Sequence, residues 1–82
     1  MILVDICVPA IDKVYDFVVD EYARVAEVTA SLADLICQKE QCRMTGDVSR
    51  LTLWRLDNGQ RLEPGQTLDG CEIGAGMTLI LV

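Results

Sequence analysis

The first twenty residues alternate with a period of two, which is typical of β-strands. Within residues 2–8 the even-numbered positions are all apolar and β-branched, and they form the expected core face of a first strand: Ile2, Val4, Ile6 and Val8. A turn is predicted at residues 9–12, where proline ends the alternation. Residues 13–20 predict a second strand with Tyr15, Phe17 and Val19 on its core face. The short connection favours a hairpin.

From about residue 21 to residue 41 the apolar spacing changes to that of an amphipathic helix. At about 100° per residue, five apolar side chains fall in one stripe that would pack on the hairpin: Val25, Val28, Leu32, Leu35 and Ile36. Asp20 is the expected N-cap, and Glu21 suits the positive end of the helix. A loop is predicted around Gly46 and Asp47.

The remainder of the chain predicts short strands separated by turns. Residues 51–56 predict a third strand, residues 57–59 (Asp-Asn-Gly) a hairpin turn, and residues 60–62 a brief partner strand. A Pro-Gly turn, an irregular segment and a terminal strand over residues 77–82 follow. The predicted core comprises Val4, Ile6, Phe17, Val19, Val25, Val28, Leu32, Leu62, Leu68, Ile73, Leu79 and Leu81.

Size and charge indicate one small acidic globular domain. The chain has 82 residues, 51% of them hydrophobic, and a net charge of −6. Because non-specific nucleic-acid binding depends on Lys and Arg, this balance argues against a nucleic-acid partner, and it also disfavours an anionic membrane surface. The apolar runs are shorter than the roughly 18 residues of a membrane span, and the N-terminus lacks the positive region of a signal peptide. We therefore expect a cytoplasmic protein.

Four cysteines leave an alternative open. Cys37 and Cys42 have a four-residue spacer that zinc sites use, whereas Cys7 and Cys71 stand singly in or beside apolar segments. That arrangement favours ordinary thiols, with a zinc-stapled or redox module as the alternative. The sequence has no histidine, which removes the commonest general base and any Ser-His or Cys-His pair. We expect no enzymatic activity, no metal and no cofactor.

The order of these segments resembles the ubiquitin β-grasp fold. The resemblance is strongest from Leu62 onward, where a Pro-Gly turn, an apolar segment around Leu68 and Ile73, a Gly-rich break and a terminal strand follow in turn. It implies an α+β fold in which a mixed sheet of four to five strands packs on one helix in ββαββ order. Residues 1–82 would then form a single ubiquitin-like domain.

More narrowly, the chain is similar to the YukD/EsaB family of type VII secretion in Gram-positive bacteria. The matching features are an Asp-Glu-Tyr segment at residues 20–22 before a helix near Val25, a Trp-Arg-Leu strand at residues 54–56, and an end at the last strand without di-glycine. The resemblance implies a non-conjugating adaptor that docks on cytosolic domains of the secretion membrane complex. Because conjugation and sulfur transfer need a C-terminal glycine tail, we expect neither. A ubiquitin-like modifier or sulfur carrier is the alternative.

Two surfaces are candidates for protein binding. By resemblance to ubiquitin, Leu79 and Leu81 are buried, so Ile80 and Val82 face outward, while Leu56 matches the isoleucine at the centre of its recognition patch. The first candidate surface therefore comprises Leu56, Ile80 and Val82 with Trp54 beside them. Helical periodicity predicts a second surface of small side chains away from the core stripe: Ala26, Ala30, Ala33 and Cys37.

Overall fold

Four strands and one α-helix make up the regular structure in a computed structural model of the chain, which describes residues 1–40 and 51–82. In chain order these elements are β1 (Ile2–Val8), β2 (Lys13–Val19), α1 (Val25–Glu40), β3 (Leu53–Arg55) and β4 (Thr78–Leu81). Cys42, the predicted helix end at Gln41 and the predicted loop around residues 46–47 lie outside the described residues.

The hairpin at the start of the chain forms as the alternation predicts. β1 and β2 pair antiparallel along their whole length, from Ile2 opposite Val19 to Val8 opposite Lys13. A single 3-10 turn, Pro9–Ile11, joins them, and the Asp12 amide N donates to the Pro9 carbonyl O at 3.1 Å. Asp12 has a left-handed backbone (φ 52°), which aspartate tolerates better than most residues.

The sheet is mixed, with strand order β2-β1-β4-β3. β4 lies parallel to β1, with Ile6 opposite Leu79, and antiparallel to β3, with Leu53 opposite Leu81. A parallel pair of strands needs a crossover connection, and the connection that leads to β4 contains α1. The helix therefore packs on one face of the sheet. The predicted α+β architecture of four to five strands on one helix is confirmed with four strands in the described residues.

The core lies between the inner face of the sheet and α1. All twelve side chains of the predicted core are buried, including Leu68 and Ile73 from the irregular segment before β4. The structure adds Leu53 and Ala33, and it confirms Val8 of the predicted first strand and Ile36 of the predicted helical stripe as buried.

The helix is rotated about its axis relative to the predicted stripe. Leu35 is 43% exposed, so its assignment to the core is wrong, whereas Thr29 and Ala33 are buried. On a helical wheel Leu35 lies about 80° to one side of Val25 and Ala33 about 80° to the other, so the buried face is shifted toward Ala33. The Thr29 hydroxyl tolerates burial because it donates to the Val25 carbonyl O at 2.8 Å.

The helix begins later than the N-cap prediction, which is wrong for Asp20. Asp20 Oδ1 instead accepts the amide of Tyr22 at 3.0 Å, which forms a turn ahead of the helix. The first amides of α1 are satisfied by a distant loop: Val25 donates to Gln66 O at 2.7 Å and Ala26 to Pro64 O at 3.1 Å. Backbone carbonyls from the second half of the chain therefore replace a side-chain cap.

The hairpin turn after β3 is present, but its return strand is reduced. Gly59 has φ 68°, and its amide donates to the Arg55 carbonyl O at 2.9 Å. The predicted strand at residues 60–62 contributes only an isolated bridge between Trp54 and Arg61, supported by the Leu62 amide bonded to Leu53 O at 2.9 Å. Leu62 is buried, so the segment holds its leucine in the core without extending the sheet.

Candidate functional site

The outer face of the sheet, on the side away from α1, is defined by strand register. Because alternate residues point to opposite sides, each strand contributes the neighbours of its buried positions. Three residues per strand over four strands make up this outer face: Val14, Asp16 and Val18 of β2; Leu3, Asp5 and Cys7 of β1; Thr78, Ile80 and Val82 along β4; and Thr52, Trp54 and Leu56 along β3.

The outer face carries several exposed apolar side chains. Five of its apolar side chains have between 50% and 60% of their surface exposed: Leu3, Val14, Val18, Leu56 and Val82. Soluble domains normally scatter exposed apolar residues singly, whereas here they share one sheet surface.

The four residues of the first predicted surface come together on the outer face. Trp54 lies directly opposite Ile80. The Leu56 amide donates to the Thr78 carbonyl O at 3.2 Å, and Val82 exchanges backbone hydrogen bonds with Thr52 (2.6 and 3.0 Å). Ladder positions 52, 54 and 56 of one strand thus run alongside 82, 80 and 78 of the other. The geometry brings this set together as predicted.

Trp54 is held in place by its indole nitrogen. Nε1 donates to the Thr52 hydroxyl at 2.8 Å, two residues earlier on the same face. The ring is half-buried and Ile80 is half-buried beside it, so both contribute apolar surface at low cost in side-chain entropy. A fixed, partly exposed Trp is the kind of side chain that dominates binding energy at protein interfaces.

The second predicted surface is not continuous. Ala33 is only 1% exposed, so its place on an exposed stripe is wrong, for the same reason that Leu35 is exposed. Ala26 and Ala30 are exposed and line a groove of about 360 Å³ between α1 and residues 51–53, 62 and 64. Cys37 is half-buried, and it does not line this groove.

Two carboxylates interrupt the outer face. Asp5 on β1 lies directly opposite Asp16 on β2, between the Leu3–Val18 pair and the Cys7–Val14 pair. The Asp16 carboxylate accepts a hydrogen bond from protonated Asp5 and repels its charged form, and both effects raise the pKa of Asp5. Partial burial acts in the same direction.

A second charged group lies at the end of β3. Arg55 donates to both Asp57 carboxylate oxygens (3.1 and 2.8 Å) and to the Cys71 carbonyl O (3.2 Å). The guanidinium lowers the pKa of Asp57, and the carboxylate raises that of Arg55. These bonds close the turn after β3 onto the irregular segment, which identifies Arg55 as a structural residue.

The described cysteines are separate from one another. Cys7 lies on the outer face, Cys37 on α1, and the Cys71 thiol donates to Gln66 Oε1 at 3.2 Å; all three are free and half-buried. Within residues 1–40 and 51–82, no group of three or more cysteine, aspartate and glutamate side chains is placed to hold a metal ion. In the same part of the chain, every helix is too short or too polar to cross a bilayer.

Sequence reasoning did not include three exposed apolar side chains of the outer face in the candidate surface, namely Leu3, Val14 and Val18. A signal was present, because these strands carry apolar residues on both of their faces rather than on one. Strands with apolar residues on both faces are normally buried on both sides. Only the topology shows that the second face of this hairpin is exposed.

The strand order, the parallel contact of β1 with β4 and the crossing helix define a ubiquitin-like fold. Comparison with solved structures supports this assignment. The solution NMR structure of a ubiquitin-like domain from an Arabidopsis thaliana protein is similar over 99% of this chain and 74% of its own length, with a TM-score of 0.73 and 16% identity. An N-terminal ubiquitin-like domain solved in solution matches 99% of this chain and 72% of its own, with a TM-score of 0.70 and 22% identity.

No protein-family model matches the sequence, and no curated protein matches it. The similarity to solved structures is therefore one of fold. The resemblance to YukD/EsaB rests on the sequence motifs described above.

Proposed function

We propose that this chain is a ubiquitin-like protein-interaction domain that binds its partners through the outer face of the sheet. The observation that carries the proposal is the set of half-exposed apolar side chains on that one face, with Trp54 fixed beside Ile80. Burying them against a partner would remove apolar area from water, which is the main favourable term in protein association. The strands already hold these side chains in place, so binding needs little backbone ordering.

In this proposal the domain is a non-conjugating adaptor. The sequence similarity to YukD/EsaB supports a cytoplasmic accessory or regulatory role in a type VII secretion system. The expected partners are cytosolic domains of the secretion membrane complex. Binding is equilibrium association, without catalysis and without a cofactor.

The test is crosslinked affinity capture from cytosolic and membrane fractions of the organism that encodes the protein. Wild type is compared with Leu56→Asp/Val82→Asp, which changes two outer-face side chains that are half-exposed and so should not disturb the core. Tyr22→Asp is the matched control, because Tyr22 is a large exposed side chain in the turn before α1. Ala30→Asp tests the groove beside the helix.

Proteins captured by wild type, Tyr22→Asp and Ala30→Asp but not by the outer-face variant would support the proposed surface. Secretion-complex components among them would support the setting, whereas unrelated partners would argue against the setting alone. If all four versions capture the same proteins, the outer face is not the binding surface. Loss with Ala30→Asp only would move the site to the groove.

A further inference from the structure

The only charged side chains at the twelve outer-face positions are the two carboxylates of Asp5 and Asp16. They occupy one cross-strand pair, with an apolar pair on either side of it along the strands. On the neighbouring strand β4, the residue opposite Asp5 is Thr78, whose side chain is uncharged. Among these twelve positions, the negative charge is therefore concentrated at one spot between largely apolar side chains.

Among the described residues, no basic side chain lies directly opposite Asp5 or Asp16 in the strand pairings. Lys13 alternates with Tyr15 and Phe17 on the other side of β2, and Lys39 Nζ lies over those two rings at 5.6 and 5.4 Å from their centroids. Arg55 is bonded to Asp57 and Cys71. Arg61 pairs with Trp54 and so lies on the same side of the sheet, but it is three strand spacings of about 4.8 Å away from β1.

Two like charges placed directly opposite in an antiparallel pair destabilise a sheet. The pKa of Asp5 is raised first by the hydrogen bond that its protonated form makes to Asp16 and then by this repulsion. A cation brought between the two carboxylates would remove the repulsion and gain two charge-assisted hydrogen bonds. A neutral apolar partner would instead take both charges out of water without compensation.

We propose that the outer face accepts a protein segment in which an arginine stands between apolar side chains, with its guanidinium over Asp5 and Asp16. The apolar flanks would cover Leu3 and Val18 on one side of the pair and Val14 on the other. Arginine fits better than lysine because its planar fork presents donors to two acceptors at once. This inference rests on the proposed function and adds to it the chemistry of the partner.

The test is an NMR titration of the ¹⁵N-labelled protein with acetyl-Leu-Ser-Arg-Ser-Leu-amide, in which the arginine and both leucines lie on one side of an extended chain. The matched probe is the same peptide with citrulline, which keeps the shape of arginine and lacks its charge. Saturable shifts are expected at the amides of residues 3, 5, 16 and 18. Citrulline should weaken binding about two- to fivefold, which is the range expected for exposed ion pairs.

Variants provide the second arm of the test. Asp5→Asn/Asp16→Asn should remove the difference between the two peptides. Glu27→Gln/Asp34→Asn changes the net charge equally at exposed helix positions and should retain that difference. If the first variant does not fold, the two peptides on wild type still decide the outcome.

Equal binding of the two peptides, or the absence of shifts at residues 3, 5, 16 and 18, would overturn the inference. Outer-face shifts that do not depend on charge would overturn it while leaving the proposed function standing. The proposed function fails separately, if Leu56→Asp/Val82→Asp captures the same proteins as wild type.

Discussion

The rotation of α1 can be tested with one substitution made at two positions of the same helix. Leu32 is 1% exposed and Leu35 is 43% exposed, although the apolar periodicity assigns both to the core stripe. Leu→Ala at the two sites removes the same atoms and changes helix propensity equally, so intrinsic effects cancel in the comparison. The remaining difference reports burial.

Leu32→Ala should lower the free energy of unfolding by about 3 kcal/mol, because it removes a buried side chain and leaves a cavity below the sheet. A domain of this size has a total stability of about 4–12 kcal/mol, so the loss is a large fraction of it. The melting temperature should fall by about 12–24 °C. Leu35→Ala should cost less than about 1 kcal/mol, since a half-exposed leucine gives up only part of its transfer free energy and water can fill the space.

Urea unfolding followed by the fluorescence of Trp54, the single tryptophan, measures both variants. Thermal unfolding followed by circular dichroism provides the melting temperatures. Similar losses at the two positions, or a larger loss at Leu35, would show that the helix buries the stripe predicted from sequence and would refute the rotation of α1.

Three further predictions concern the turn and the charged pairs. Gly59→Ala should destabilise the protein by about 1 kcal/mol, because φ is 68° there, whereas Gly65→Ala, at a position without positive φ or nearby atoms, should be close to neutral in the same unfolding assay. Asp5→Asn should raise the melting temperature at neutral pH. Because the folded pKa of Asp5 is raised, the wild type regains stability as the pH falls through that pKa toward 3.8, so a difference that does not shrink there would contradict the assigned repulsion. Arg55→Lys should lower the melting temperature above pH 4, and the difference should fade as the pH drops through the lowered pKa of Asp57; a melting temperature unchanged from wild type would show that the guanidinium bonds do not stabilise the turn.

The outer face of the sheet is available for binding a partner. One face of the sheet is already used by α1, so the other face has no intramolecular partner in the described residues. Side chains such as Leu3, Val18 and Leu56 therefore remain available for intermolecular contacts.

The sequence by itself determined the local elements and most of the core. Alternation placed β1 and β2, and the Asp-Asn-Gly turn required a positive φ at Gly59. All twelve side chains of the predicted core are buried, whereas Leu35 of the predicted helical stripe is exposed. These features depend on near neighbours along the chain, which is why periodicity and turn chemistry predict them.

Only the tertiary structure decided how the elements face one another. The helix rotation that buries Ala33 and exposes Leu35 is set by packing on the sheet, and the helix start is set by carbonyls some forty residues away, at Pro64 and Gln66. The pairing of Asp5 with Asp16, and the gathering of outer-face residues from four strands, follow from register and strand order. Such contacts join distant parts of the chain, so local sequence patterns do not predict them.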